Sequence, residues 1–263
     1  MEKIYLLDEC KEAKYILISG HVRPDGDCTG SCLAMYLYLK KALPTTKVQL
    51  CLEKPSEVFQ CIQDFNKIDS TYIVDGDIDV FIALDCEKSR LGEAEEIFAK
   101  AKKRINIDHH VSNKQGCGDI NYVNPEMSST AELVYELMDK QYIDQEIAKA
   151  LYIGMIHDTG IFQYSNTSPN TLRTAAELIE YKFDFSGLID ETFYEKTYTQ
   201  NQLLGRALLE SIMFMDGRCI VSVINKKTLD FYDAEPNDLD GILQCVRERF
   251  RWNCKSTSRN KRS

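Results

Sequence analysis

Three side chains able to hold a cation, His21, Asp25 and Asp27, fall within the short stretch S-G-H-V-R-P-D-G-D-C-T-G-S, residues 19–31. Pro24 and Gly26 tighten the turn that carries them. Two carboxylates and an imidazole crowded at the end of a strand are tolerated best when a cation neutralises them. The loop therefore reads as half of a metal site. In a parallel sheet the other half is expected at further carboxyl ends of strands. The apolar run V-F-I-A-L, 80–84, leads into Asp85, and R-I-N-I, 104–107, leads into Asp108, His109 and His110. The segment G-M-I-H-D-T-G-I-F, 154–162, adds His157 and Asp158, so all four histidines of the chain lie in these stretches.

Imidazole and carboxylate donors without a thiolate suit Mn²⁺, Mg²⁺ or Fe²⁺ better than structural zinc. Two such cations, about 3.5–4 Å apart on a bridging carboxylate, can activate a shared water and neutralise phosphoryl oxygens during in-line attack. Asp85, alone at its strand end, is the natural bridge.

Positioning these groups needs strands that alternate with helices. Tyr15–Ser19, Lys47–Leu52, Val80–Leu84 and Arg104–Ile107 read as strands, and Cys28–Lys41 and Glu93–Lys103 as helices, with a first helix within 2–14 and a short one after Pro55. Such alternation predicts an α/β fold with a largely parallel sheet. The chain then becomes helical. Ser129 is expected as the N-cap of a helix to Met138, with Glu132 completing a capping box, followed by helices over 144–155 and 170–181. Residues 185–215 read as further helix broken near Gly187 and Thr197, and Cys219–Ile224 as a strand of a second domain.

Composition narrows the classes of function. A net charge of −9 with a pI near 5.1 argues against a protein that coats long duplex nucleic acid. It leaves room for a small phosphorylated substrate, since bound metals reverse the local sign. Ten scattered cysteines without a C-x-x-C pair are expected as reduced thiols in a cytoplasm. The N-terminus is too charged for an export signal, and no apolar run is long enough for a membrane span. P-loop and G-x-G-x-x-G patterns are absent, which argues against a nucleotide kinase or a dinucleotide oxidoreductase.

In order, H-x-x-x-D-x-D, L-D-C, D-H-H-x-S-N and G-x-x-x-D-T-G-x-F resemble motifs I to IV of the DHH phosphoesterase superfamily. Within it the chain is similar to the stand-alone DHH–DHHA1 proteins of the bacterial NrnA type, bifunctional oligoribonucleases and pAp phosphatases. The resemblance implies a Rossmann-like DHH domain over 1–186, a helical linker over 187–215 and a smaller α/β DHHA1 lobe over 216–263. It implies two Mn²⁺ ions, with Mg²⁺ or Fe²⁺ as substitutes. His21 and Asp25 would hold one, Asp27, His109 and Asp158 the other, and Asp85 would bridge. His110 would face the scissile phosphate as a catalytic and substrate-binding residue, and Asp108 would orient a ligating imidazole. Arg23, where the family more often has Asn, and His157, beside the motif IV aspartate, are further candidates for substrate contact. Ser128, Ser129 and Asn113 are expected as capping and loop residues, and Arg90 as part of an exposed salt bridge.

The chain departs from the family at its end. No glycine follows Gly241 and no histidine follows His157, so the family's G-G-G-H stretch is missing; residues 247–263 instead carry seven Lys or Arg against one acid. The metal centre is expected complete and the DHHA1 lobe incomplete, with an unstructured basic tail. The expected activity is hydrolysis of short RNA oligonucleotides and of pAp, in the cytoplasm, with a homodimer as one assembly. The alternatives are a phosphodiesterase for cyclic-di-AMP or pApA, and a non-catalytic metal-binding remnant.

Overall fold

The computed structural model describes residues 6–216, 219–239 and 242. Its first half alternates as α1 (Leu6–Cys10), β1 (Tyr15–Ser19), α2 (Gly26–Ala42), β2 (Lys47–Cys51), β3 (Val80–Leu84), α3 (Ala94–Lys100), β4 (Lys103–Asp108) and β5 (Ile120–Val123). Every residue of β1 and β3 is buried, as expected for strands covered on both faces. Ile16 and Ile18, Val80, Ile82 and Leu84, and Ile105 and Ile107 join the larger core, which includes Leu33 and Leu37 of α2. The alternate residues Tyr15, Leu17, Phe81 and Ala83 face a smaller core closed by Ala94 and Phe98 of α3. The two-residue period of the strands thus distributes one apolar run between two layers of helix.

The strands lie in the order β2-β1-β3-β4-β5, and each neighbouring pair is parallel. From β1 the chain first adds β2 on one side and then returns to add β3 on the other. Between β1 and β3 the connections therefore diverge, leaving a crevice at the carboxyl ends of the strands. His21 and Asp85 follow β1 and β3, and Asp108 closes β4 with His109 and His110 after it, all at that end.

The helical half contains α4 (Thr130–Leu137), α5 (Gln145–Asp158), α6 (Pro169–Ile179) and α7 (Phe185–Ile189), the last continued by a π turn over Asp190–Tyr194. After these come α8 (Tyr198–Leu209), β6 (Ile212–Phe214), β7 (Cys219–Val221) and α9 (Lys226–Tyr232). The chain divides into two compact units, Met1–Tyr194 and Glu195–Ser263, at a point inside the stretch expected as a linker. In the second unit β6 and β7 pair antiparallel, and the Arg206 guanidinium lies near the Tyr232 hydroxyl, 3.4 Å away. Of the lobe expected over 216–263, residues 217–218, 240–241 and 243–263, and with them the basic tail, lie outside the described residues. Among the described residues no helix is long and apolar enough to cross a membrane.

Several local expectations need correction. β5 was not expected: Ile120-Asn-Tyr-Val is a half-buried edge strand without a continuous apolar signal. Gly187 does not break the helix but sits inside α7, its N–H donating to the N-cap Asp184 at 2.9 Å. The break comes at Thr197, whose hydroxyl caps α8, and residues 212–214 are strand. The capping box at α4 is half formed. Ser129 Oγ accepts from Glu132 N–H, whereas the Glu132 carboxylate turns to the N–H and hydroxyl of Ser128 and to Thr171 and Asn170. α2 starts two residues early because Asp25 caps it, accepting from the N–H groups of Asp27 and Cys28.

α2 and α5 cross at Gly30, where an added Cβ would stand 2.5 Å from the Ala150 carbonyl oxygen and 2.9 Å from Gly154 N. Neither backbone atom can move aside alone. Gly30→Ala should cost about 1–3 kcal/mol of stability, read as a lower denaturant midpoint; an unchanged midpoint would show that the helix pair slides freely.

Candidate metal centre

Five elements deliver ligand candidates to one crevice: the ends of β1, β3 and β4, the start of α2 and the end of α5. β1 ends at Ser19, and His21 follows after Gly20 with its side chain 3 % exposed. Its Nδ1 lies 2.8 Å from the Val22 carbonyl, which can only accept, so Nδ1 carries the proton and Nε2 is left to bind. That Nε2 is 3.4 Å from Asp85 Oδ2 and 3.6 Å from Asp25 Oδ1. His109, after β4, presents Nε2 at 3.1 Å from Asp158 Oδ2, 3.7 Å from Asp85 Oδ1 and 3.9 Å from Asp27 Oδ2. Asp85 thus lies between the two imidazoles, as a bridging group would.

Asp27 and Asp85 are almost wholly buried, and their charge is met by α4. Asp27 accepts from the N–H groups of Thr130 (2.7 Å) and Ala131 (2.9 Å), at the positive end of that helix. Asp85 accepts from the Thr130 hydroxyl at 2.9 Å. Asp85 also adopts φ of +60°, a left-handed conformation that L-residues hold only under constraint and that concentrates at functional sites. These contacts with Thr130 and Ala131 were not found from sequence, since backbone donors carry no side-chain signature.

Asp108 orients His110 rather than the ligand candidate His109. Its Oδ1 accepts from His110 Nδ1 at 2.7 Å and from His110 N–H, and its Oδ2 accepts from the Asn113 amide at 2.7 Å. Asn113 also donates to Asn106 Oδ1, and Asn106 is tied to the carbonyls of Ala83 and Cys86. His109 instead places Nδ1 at 3.4 Å from the Met127 carbonyl. Ser129 caps α4 as expected, whereas Asn113 is a buried residue that holds Asp108 rather than a capping or loop residue.

The DHH family, N-terminal domain, matches residues 15–155, more than half of the chain. The chain belongs to the DHH family. Over 237 residues it is 27% identical to the bifunctional oligoribonuclease and PAP phosphatase NrnA of Bacillus subtilis, covering 87% of this chain and 73% of that one. The NrnA of Thermus thermophilus is 32% identical over 228 residues, covering 84% of this chain and 67% of that one. Among solved structures, an exopolyphosphatase-related protein from Bacteroides fragilis superposes with a TM-score of 0.83 at 24% identity, covering 92% of this chain and 74% of that one, a likeness of fold.

The donors of this DHH chain fit divalent cations. Among the described residues, His109 Nε2 is buried with no hydrogen-bond partner, although three carboxylates face it. Ligand atoms converge within 4.8 Å in three groups: Asp27, His109 and Asp158; Asp85, His109 and His110; and His21, Cys28 and Asp85. The thiol of the last group is an addition to the donor set expected from sequence. Without a cation the crevice gathers protons. Burial, with Asp85, Asp158 and Asp25 adding to it, pushes the Asp27 carboxyl up. Burial raises Asp158 to about 6, with Asp85 and Asp25 adding and His109 opposing. Burial works against a charge on His21, but Asp25 and Asp85 outweigh it and hold the imidazole protonated. Cations would supply the positive charge that protons supply here.

The remaining candidates lie at the edge of this centre. Arg23 is exposed, its φ is +53° and its N–H donates to Glu53 at 2.6 Å. A left-handed backbone suits Asn, which gives a physical reason for the family's preference at that position. His157 is not in any of the converging groups. Its ring packs against Phe59 and Phe193 with Nε2 3.2 Å from the Thr192 hydroxyl, and an added Cβ on Gly26 would strike it at 2.3 Å. Burial lowers its pKa to about 4. Its surroundings are those of a packed, neutral side chain. Arg90 makes no ion pair among the described residues, contrary to expectation, and its charge bears on His110.

Thr130→Val keeps the shape of the side chain and removes the hydroxyl from Asp85. Supporting groups of this kind carry about 10–100-fold of metal affinity, so Mn²⁺ titration should show a loss in that range. An unchanged affinity would mean that the hydroxyl does not hold Asp85 in place.

Proposed function

We propose that this chain hydrolyses short RNA oligonucleotides to mononucleotides and removes the 3′-phosphate of pAp to leave AMP, using two divalent cations. Membership of the DHH family makes it a phosphoesterase. The supporting observation is the convergence of the three donor groups on a crevice that is open on one side: Asp25 and His110 are 61% and 37% exposed, while Asp27 and Asp85 are buried. The choice of substrates rests on the NrnA relatives, and Mn²⁺ is proposed from the donor set.

In this reading His21 and Asp25 hold one cation, Asp27, His109 and Asp158 the other, and Asp85 lies between them. Bound cations would lower the pKa of a water and neutralise phosphoryl oxygens. His110 keeps its Nδ1 proton on Asp108 and turns Nε2 to the substrate, where it can give a proton or hydrogen bond to the leaving oxygen as the P–O bond breaks. Asp108 raises the His110 pKa, which keeps a proton available for that transfer. Arg90 is proposed to meet a substrate phosphate. Residues 216–263, within unit two, would be the partial DHHA1 lobe. The cytoplasm, where free thiols remain reduced, is the proposed compartment. A homodimer is the assembly to test by sedimentation. The cyclic-di-AMP phosphodiesterase GdpP of Bacillus subtilis is a more distant relative, 25% identical with only 34% of its length covered, so the cyclic-dinucleotide alternative is not favoured.

With Mn²⁺, the purified chain should turn over both pAp and a 5′-phosphorylated RNA dinucleotide, and Asp85→Ala should turn over neither. Mn²⁺ binding without turnover of either substrate would leave a metal-binding remnant and reject the activity. Asp108→Asn should lower kcat by about 10²-fold or more while leaving Mn²⁺ affinity near that of the parent. An equal fall in affinity would show that Asp108 acts on the metal ligands.

A further inference from the structure

We propose that Cys28 is a metal ligand on the His21 side of the centre, so that this side prefers a thiophilic divalent cation such as Zn²⁺, Co²⁺ or Cd²⁺ over Mn²⁺. The proposal rests on the metal-centre reading above and concerns which cation each side takes.

The sulfur is placed by the backbone around it. Cys28 lies in the first turn of α2, and its N–H is held by Asp25 Oδ1 at 3.1 Å. Its side chain is completely buried and runs over Gly20, the residue between β1 and His21, where an added Cβ would come within 2.3 Å of Sγ. The glycine leaves the space that the sulfur takes. In that position Sγ lies within 4.8 Å of ligand atoms of both His21 and Asp85, and all three residues are buried. His21 has its Nδ1 committed to the Val22 carbonyl, so Nε2 is the nitrogen available to a cation. The Asp85 oxygen nearest that nitrogen, Oδ2, is not the one that Thr130 engages. One nitrogen, one oxygen and one sulfur thus converge with no hydrogen-bond donor from Thr130 competing for Asp85 Oδ2.

Chemistry then separates the two sides. Asp27, His109 and Asp158 offer oxygen and nitrogen only, a set that suits Mn²⁺ or Mg²⁺. The addition of a thiolate favours softer cations, which bind sulfur and imidazole together in compact sites. Burial pushes the Cys28 thiol well up, so the thiol proton would leave to solvent only as the sulfur–metal bond forms. The competing account is that Cys28 only fills space, as buried free cysteines commonly do. Cys32, one helical turn on and equally buried, belongs to none of the converging groups and serves as the internal comparison.

Titration of the full chain with Co²⁺ separates these accounts without an activity assay. Bound Co²⁺ should give a thiolate-to-metal charge-transfer band in the near ultraviolet. Cys28→Ser should lose the band while still binding Co²⁺, and Cys32→Ala should keep it. Bound Co²⁺ with no such band in the parent chain, or a band that survives Cys28→Ser, would overturn the assignment and leave the metal centre standing. No Co²⁺ or Mn²⁺ binding to the parent would overturn the metal-centre reading itself. Should Cys28→Ser fail to fold, the ¹¹³Cd resonance of the parent decides: a shift in the sulfur-ligated range supports the ligand, and a shift in the oxygen and nitrogen range rejects it.

Discussion

Asp27, Asp85 and Asp158 face the same buried nitrogen, His109 Nε2, and the rest of the first unit is arranged to make that tolerable. Carboxylates this close and this dry would ordinarily neutralise by protonation. The fold opposes that with fixed dipoles. The first turn of α4 gives two N–H groups to Asp27, and the Thr130 hydroxyl goes to Asp85. The opposition is partial: Asp27 and Asp158 are still pushed up and His21 is held protonated. A crevice that must borrow protons for charge balance is prepared for cations. The same design explains why Asp85 holds a left-handed backbone, since the turn after β3 must aim its carboxylate back across the strand ends.

The sheet order makes this crowding possible. Only between β1 and β3 do the chain's connections diverge, so only there can loops from two central strands lean toward each other without a crossover in the way. β4 adds its triplet from the next position, and the three consecutive residues are sorted by role. Asp108 points into a network of Asn113 and Asn106, His109 points to the carboxylates, and His110 hangs on Asp108 at the open side.

Much of this was legible in the sequence because burial leaves a trace in residue type. β1 and β3 could be read as uninterrupted apolar runs because helices cover both of their faces. β5 could not, because a half-buried edge strand with an exposed Asn carries neither a run nor a clean alternation. The donor side chains stood out because carboxylates and imidazoles at strand ends are costly without a purpose. What held them did not stand out. The donors to Asp27 are peptide groups, and any residues but proline at 130 and 131 would have them. The partner of Asp108 was misjudged for a related reason: spacing shows that three polar residues follow a strand, but not how the turn rotates each one. Cys28 was overlooked because a thiol inside an apolar helix looks like any other small core residue.

Asp27 reaches its two amides across 103 and 104 residues of chain. Closing a span of that length is unfavourable until β3, β4 and α4 have taken their places, because loop entropy must be overcome before the contact can repay it. A cation that needs Asp27, Asp85 and His109 together has no equivalent site in the unfolded chain, so its binding energy adds to the stability of the finished fold alone. If the proposed ligands hold a cation, metal supply would act as a latch on the finished fold as well as a requirement for chemistry.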